Sequence, residues 1–283
     1  TISSRLGVQP VGRGGKRRPT LSATVSTAVA SKTAKFATLL CTSVPLPPFA
    51  SSVAATCVAV CLPNTLPTDV PLAHSLPLEE LYESERARLF LLPSLQRQLS
   101  FAGGRIALHR ALEHLECGNE GCAAVLSDET GAPTMPCDGL LGSISHTKGL
   151  AAALVSYADC PVGHSAIGID IEPASREASL RIKPRILAPE EAARLGSDLG
   201  ISDGCELTLR FSLKEALYKA LHPLIRSTIR WHSVHVHPHQ DGSCEVDKSS
   251  LETEIGCSLR AEARWWQHGD FFVTTAVAAL VSD

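Results

Sequence analysis

An α+β fold is the prediction, and three observations make it. Residues 139–157 read as strand, turn, strand: GLLGSISH, a Thr-Lys-Gly turn, then LAAALVSY. Residues 166–172 (AIGIDIE) alternate strictly, as a strand does. Helical periodicity stands apart from these strands, strongest over 210–222, instead of alternating with them as βαβ units would.

The elements follow in order. Val53, Cys57, Val58, Val60 and Leu62 read as a buried strand with its approach. Residues 78–92 carry Leu78, Leu81, Tyr82, Leu89 and Leu92 at helical spacing, with acids in the first turn. A second helix covers 101–116, with Ile106, Leu108, Ala111, Leu112 and Leu115 as its apolar set. Gly103 and Gly104 sit at its start, Arg105 in its first turn, and Gly118 and Gly121 act as stops. Residues 130–137 (TGAPTMPC) are a turn. A weaker helix covers 189–197, and residues 229–238, 259–266 and 271–281 are strand-like.

Charge is spread unevenly over the 283 residues. Residues 1–68 hold seven Lys/Arg and no acid, a charge of +7, while the rest carries −10. Residues 1–35 contain all seven cations and ten Ser/Thr, the composition of an organellar transit peptide. We therefore divide the chain into a disordered basic leader (1–36) and a folded body. The leader addresses a plastid or mitochondrion; without that role the protein is cytoplasmic. At 44% apolar the chain is not disordered as a whole, and at 5% aromatic with an acidic body it does not suit nucleic acid. The uncharged stretch 36–68 is cut by Pro45, Pro47, Pro48, Pro63 and Pro67, which leaves no membrane span. Ten cysteines without a CxxC pair read as buried free thiols; Cys57/Cys61 and Cys117/Cys122 lack the second pair a zinc site needs.

The chemistry sits on three motifs. Period 2 puts Gly168, Asp170 and Glu172 on one strand face, where two carboxylates beside a glycine suit a hard cation such as Mg²⁺, or simply meet water. In RFSLKEALYKAL, Glu215 and Lys219 share a helix face and Lys214 lies about 100° round. They could form an ordinary surface pair, or Glu215 could complete a metal site with Asp170 and Glu172. Ser145 and His146 end a strand before a tight turn, within reach of a ligand, and no Gly-x-Ser-x-Gly elbow makes Ser145 a hydrolase nucleophile. His232, His235, His237 and His239 form either an exposed polar face or a transition-metal site.

Taken together, G-S-I-S-H-T, then I-G-I-D-I-E, then F-S-L-K-E-A-L-Y-K at these spacings resemble the 4′-phosphopantetheinyl transferase family, in its large Sfp/EntD-like form. R-Q-L-S-F-A-G-G-R (97–105) and T-G-A-P-T-M-P (130–136) extend the likeness upstream; Ser100, His109 and Met135 depart from it. The resemblance implies two similar halves related by a pseudo-twofold axis, here 37–161 and 162–283. It implies transfer of the 4′-phosphopantetheine arm from coenzyme A to a serine of an acyl or peptidyl carrier protein of a fatty acid, polyketide or peptide synthase. Asp170, Glu172 and Glu215 would hold Mg²⁺, Glu215 would act as base, and Lys219 would meet the leaving phosphate. Arg97, Arg105, Gly131, Pro133, Ser145, His146, Lys214 and Lys219 would contact coenzyme A. The pseudo-dimeric fold implies a monomer. Carriers of this kind being acidic, the acidic body would meet them through a local basic or apolar patch near Arg181, Lys183 and Arg185. The rival readings are a Mg²⁺-dependent phosphohydrolase and a non-catalytic coenzyme A- or carrier-binding protein.

Overall fold

The computed structural model describes residues 41–44, 49, 55–63, 76–117, 123–158, 163–196 and 199–281. The basic leader, the strand approach at Val53 and the Gly118 and Gly121 stops lie outside the described residues.

Antiparallel pairing organises the chain into two sheets. The first contains β1 (Cys41–Val44), β2 (Ala55–Cys61), β3 (Leu140–Thr147) and β4 (Leu150–Tyr157), in the order β1-β2-β4-β3. Between β2 and β3 come α1 (Glu83–Phe90) and the long α2 (Leu95–His114). The second sheet contains β5 (Ser165–Pro173), β6 (His235–Pro238), β7 (Ser243–Asp247), β8 (Leu259–His268) and β9 (Phe271–Leu280), in the order β5-β9-β8-β7-β6. Short helices α3 (Lys183–Ile186) and α4 (Pro189–Ala193) precede the long α5 (Asp203–Ile225), and α6 (Ser249–Ile255) follows it.

Both halves use one plan. A strand (β2 or β5) precedes a long helix (α2 or α5), and a hairpin (β3–β4 or β8–β9) returns so that its last strand pairs with the first. The order β2-β4-β3 therefore matches β5-β9-β8. This repetition is the two-halved α+β architecture that the motifs implied.

Burial explains the layering. Helix α2 covers one face of the first sheet through Ala102, Ile106, Ala107 and Ala111. Helix α5 covers one face of the second through Leu213, Ala216, Leu217 and Ala220. The remaining faces meet: Cys57, Ala59, Leu150, Ala152 and Leu154 pack with Ile167, Ile169, Ile171, Val273 and Val277. Each buried isoleucine contributes roughly 1.5–3 kcal/mol. The alternation in AIGIDIE is thus real, but both faces of the strand are covered: its isoleucines enter the inter-sheet core, and Gly168 and Asp170 turn toward α5.

Several boundaries differ from the sequence reading, for local reasons. Helix α2 begins at Leu95, where the Ser94 hydroxyl accepts the Arg97 N–H at 3.3 Å. Gly103 and Gly104 consequently fall inside it. A β-carbon at Gly103 would strike the Leu62 side chain and one at Gly104 would strike Ile144, so these glycines permit close helix–sheet packing and do not start the helix. The expected helix over 78–92 is a single turn at Leu78–Glu80 followed by α1. Helix α5 starts earlier than expected, at a Ser202 cap that accepts the Cys205 N–H at 3.2 Å. The weak helix over 189–197 contracts to α4 and the strand over 229–238 to β6, while β7 and α6 are too short to show a period.

Gly168 fixes how closely α5 can lie on β5. An added β-carbon there would overlap the Ala216 carbonyl oxygen. Replacing Gly168 by Ala should cost about 1–3 kcal/mol, as overpacking does, read as a lower urea midpoint with an unchanged slope.

Candidate active site

Two edge strands meet at the site. β3 is the outer strand of the first sheet and β5 that of the second, so both present unpaired backbone groups. Side chains close the seam. Ser143 Oγ accepts the Ile169 N–H at 3.1 Å, and the Ile169 carbonyl accepts Lys219 Nζ at 2.8 Å.

Asp170 lies in this seam and is only 7% exposed. Ser145 Oγ from β3 and Lys219 Nζ from α5 each donate to Oδ1 at 2.9 Å, and Ser212 Oγ donates to Oδ2 at 2.9 Å. Helical spacing makes this possible: Ser212, Glu215 and Lys219 fall within about 60° of one another at 3.6 residues per turn. Thr274 of β9 holds the Ser212 hydroxyl in turn, at 2.9 Å.

The other two acids surround this point. Burial pushes Glu172 above the usual carboxylate range; Arg176, bound to it at 2.8 Å, opposes this, and Asp170 adds to it. Glu215 is also raised, by burial and then by Asp170, against the pull of Lys219. Asp170, Glu172 and Glu215 are therefore brought into electrostatic range. Among the described residues, however, no group of three Asp, Glu, His or Cys side chains is placed to hold a metal ion. The expected three-carboxylate site is an open, mutually repelling group. That fits a hard cation that takes one or two protein carboxylates and completes its shell with water and phosphate oxygens.

His146 follows Ser145 on β3 and keeps solvent access. Partial burial first, and the Lys219 charge second, hold its imidazole below the ordinary histidine range, with Asp170 opposing. Ser145 itself is buried, and its hydroxyl donates to Asp170.

Lys214 requires a correction. It was expected to face phosphate, yet its ammonium donates to Glu191 Oε2 at 2.7 Å and to the Trp231 and Val234 carbonyls at 2.6 and 2.7 Å. Its three protons are all used inside the fold. Glu191 also accepts the Ala188 and Val236 N–H groups, so this pair ties α4 and the chain before β6 onto α5.

In the first half Arg105 behaves oppositely. It is 4% exposed, donates to Ser127 Oγ at 3.0 Å and stacks 4.7 Å over the Phe101 ring. Its Nε is buried without a partner, and no carboxylate pairs with it among the described residues. Burial lowers its proton affinity, against the field of Glu85. A desolvated guanidinium with a spare donor suits an anion. Ser127 bridges to Pro133 across a loop in which Gly131 has φ 91° and Asp128 gathers the Thr130 and Ala132 N–H groups. Arg105, Gly131 and Pro133 are thus assembled. Arg97 is not: it lies exposed in the first turn of α2, two turns before Arg105.

The departures at 109 and 135 have internal partners. His109 is held at 3.0 Å by the fully buried Glu85, and Met135 packs against Gly142. Burial alone would raise Glu85, but His109 and the Val125 and Tyr82 N–H groups together keep its carboxyl low. The four histidines near β6 do not converge: His237 is buried against Arg210, and His235 pairs with the His232 carbonyl. Sequence reasoning missed Ser143 and Ser212, each a small polar residue beside apolar neighbours, and Glu191, one of two adjacent acids whose partner Lys214 lies 23 positions away.

Comparison with known proteins gives consistent likenesses. Residues 166–276 match the family described as the 4′-phosphopantetheinyl transferase superfamily, and residues 93–156 match the 4′-phosphopantetheinyl transferase N-terminal domain. The chain is 28% identical to the 4′-phosphopantetheinyl transferase Npt of Nocardia iowensis over 225 residues, 75% of this chain and 97% of that protein. It is 36% identical over 126 residues to enterobactin synthase component D of Escherichia coli (strain K12), 44% of this chain and about half, 55%, of that protein. A solved holo-[acyl-carrier-protein] synthase from Neisseria meningitidis is 25% identical over 40% of this chain and 95% of its own, with a TM-score of 0.32.

The Lys214–Glu191 pair yields a direct test of the corrected assignment. Lys214→Ala leaves a buried carboxylate uncompensated and should destabilise the protein by about 3–5 kcal/mol, measured by urea unfolding. A residue serving only to meet ligand would leave the midpoint unmoved.

Proposed function

The chain belongs to the 4′-phosphopantetheinyl transferase superfamily, and from that premise we propose that it moves the 4′-phosphopantetheine arm of coenzyme A onto a serine of an acyl or peptidyl carrier protein, converting apo to holo carrier. The observation that carries the reading is the seam at Asp170, where a buried carboxylate, two further acids and a lysine meet beside two edge strands.

Chemically, the carrier serine oxygen forms a bond to the phosphorus bearing the pantetheine arm. The bond from that phosphorus to the bridging oxygen breaks, and adenosine 3′,5′-bisphosphate leaves. Glu215 takes the serine proton, directly or through water. Lys219 carries the positive charge that meets the departing phosphate. Two of its three protons are bound to the Ile169 carbonyl and Asp170, which leaves the third for a phosphate oxygen. Ser145 and Ser212 hold the Asp170 carboxylate in one orientation throughout. Asp170, Glu172 and Glu215 would hold Mg²⁺, which neutralises pyrophosphate charge when bound. His146 would donate to a coenzyme A phosphate, and Arg105 would take the 3′-phosphate with its fork. The Gly131–Pro133 backbone would line the adenine side, and Arg97 remains available only as an outer charge.

The test is mass gain of an apo carrier incubated with coenzyme A and Mg²⁺. Asp170→Ala and Lys219→Met should each lower kcat by about 10²–10⁴-fold. Arg105→Met should raise the coenzyme A KM with a smaller change in kcat. Phosphate release without mass gain on any carrier would favour the phosphohydrolase; neither would leave a binding protein.

For the leader we propose an organellar address. Residues 1–36 fused ahead of a fluorescent protein should direct it to plastids or mitochondria, and diffuse cytoplasmic signal would overturn this.

A further inference from the structure

Among the described residues, five buried side-chain atoms lack a hydrogen-bond partner: Arg105 Nε, Ser165 Oγ, Arg264 Nε, Trp266 Nε1 and Thr275 Oγ1. Such atoms are rare in folded proteins, because each costs roughly 1–3 kcal/mol. Arg105 belongs to the site described above. Of the other four, three fall on one patch of the β8–β9 hairpin. Arg264 and Thr275 are paired directly across the ladder, and Trp266, paired with Val273, is two residues beyond Arg264. Directly paired side chains stand about 5 Å apart on one face, and residues two apart on a strand share that face. It is the face turned to the first sheet, because Val273, Val277 and Trp266 pack into the inter-sheet core. Ser165, paired with Ala279, lies farther along the same face.

The internal repeat gives this patch a meaning. Counted back from the two hairpin turns, the pair Thr147–Leu150 corresponds to His268–Phe271, so Ser143 corresponds to Arg264, Ser145 to Trp266 and Leu154 to Thr275. Ser143 and Ser145 are the side chains that β3 sends across the active seam. Arg264 and Trp266 hold their places in the second half, on a strand that passes the opposite edge of the first sheet: Thr42 of β1 meets the His268 ring of β8 at 3.5 Å. The chain thus has a second seam, on the other side of the inter-sheet core. Charge is reversed between the two. At the active seam the fold buries an anion, Asp170, and supplies its donors. At the second seam the fold buries donors and supplies no acceptor. Thr275 is fully buried, while Arg264 and Trp266 are half-buried, so solvent reaches the patch along those two. Two acids are nearby: Asp241, exposed and held by Ser243, and Glu262, two positions before Arg264. Neither forms an ion pair with Arg264 among the described residues.

We propose that the second seam binds a small oxyanion, the phosphate or carboxylate group of a ligand, held by the Arg264 guanidinium, the Trp266 indole N–H and the Thr275 hydroxyl. The chemistry of the donors carries this. A guanidinium with no protein carboxylate presents a fork that matches two oxygens of either group. The indole N–H can only donate, so a cation or a second donor would leave it unsatisfied. Thr275 follows Thr274, whose side chain faces the other way and meets the Ser212 hydroxyl at 2.9 Å. The two sites therefore lie on opposite faces of β9. None of the residues assigned above to coenzyme A belongs to this patch, and the proposal stands whether or not the chain transfers phosphopantetheine.

The experiment titrates the full chain, its tryptophan indoles labelled with nitrogen-15, with sodium phosphate and separately with sodium acetate, against sodium chloride at equal ionic strength. The Trp266 signal is assigned by its loss in Trp266→Phe. Trp265, whose indole already donates to the His239 carbonyl, and Trp231 serve as internal controls. The Trp266 signal should move saturably with at least one of the two anions. Arg264→Met should weaken that binding at least about tenfold, the loss of a charged hydrogen bond, and Arg105→Met should leave it unchanged. If Arg264→Met does not fold, Arg264→Lys, which keeps the charge and loses the fork, replaces it. A response to phosphate alone identifies a phosphate-bearing ligand; a response to acetate, alone or with phosphate, identifies a carboxylate. Thr275→Val removes the unpartnered hydroxyl at similar shape. Its urea midpoint should exceed that of wild type without anion, and saturating anion should narrow the difference. No saturable movement of Trp266 beyond that in chloride, or movement undiminished in a folded Arg264 variant, would overturn the site.

Discussion

A carboxylate buried at Asp170 has to be compensated from several directions at once, and much of the structure is arranged to do so. An unpaired charge in such a place would cost several kcal/mol. No single element can supply enough donors, so β3 contributes Ser145 and α5 contributes Ser212 and Lys219. That requirement brings two edge strands side by side and presses a helix onto one of them. Gly168 follows from it, because α5 reaches Asp170 only where the strand beneath lacks a β-carbon. So does Thr274, which fixes the hydroxyl that fixes the carboxylate.

The same constraint sorts the cations by function. Lys214 and Arg210 are buried with complete sets of partners: Lys214 on Glu191, and Arg210 on Glu206 and several backbone carbonyls. Arg105 is buried almost as deeply but lacks a carboxylate, and its Nε has no acceptor. Lys219 is intermediate, partly exposed and bound to a carboxylate beside two other acids. What separates a structural cation from a functional one here is therefore not residue type or burial. It is whether the fold already satisfies every donor. On the proposed reading Arg105 and Lys219 meet phosphate because each has capacity that the folded chain leaves unused.

How much of this could be read from the sequence depends on range. AIGIDIE announced both its strand and its acids, since period 2 is a local property, and these acids lie within electrostatic range of Glu215. Ser145 was visible as a residue, but its turn toward Asp170 depends on the meeting of two sheets, which no window contains. Lys214 was misread for a similar reason. Next to Glu215 in a lysine-rich run it looks like part of the site, but a 100° step round the helix sends it to Glu191, 23 positions earlier. Gly103 and Gly104 looked like a helix start because glycine usually weakens helices; contact with Leu62 and Ile144 outweighed that preference. Local pattern thus revealed the elements and the chemistry of single faces, while partner identity came only with the tertiary structure.

The two halves are alike in plan and unlike in equipment, which bears on why both are kept in one chain. The first supplies a spare guanidinium beside a turn built on Asp128, Gly131 and Pro133. The second supplies the acids and Lys219. Neither set alone has the means to hold a ligand with phosphates at two places and also to perform transfer. Strand β3 belongs to the first half, yet it delivers Ser143 and Ser145 to the second. The inter-sheet isoleucine core makes that delivery rigid, because any slip between the sheets would bury Ile169 N–H without its acceptor. The two halves are similar platforms, and the edge-to-edge seam joins the serines of one to Asp170 and Ile169 of the other. On the proposed reading, a coenzyme A molecule bridging the seam would be recognised at its nucleotide end by one half and cleaved at its pyrophosphate by the other.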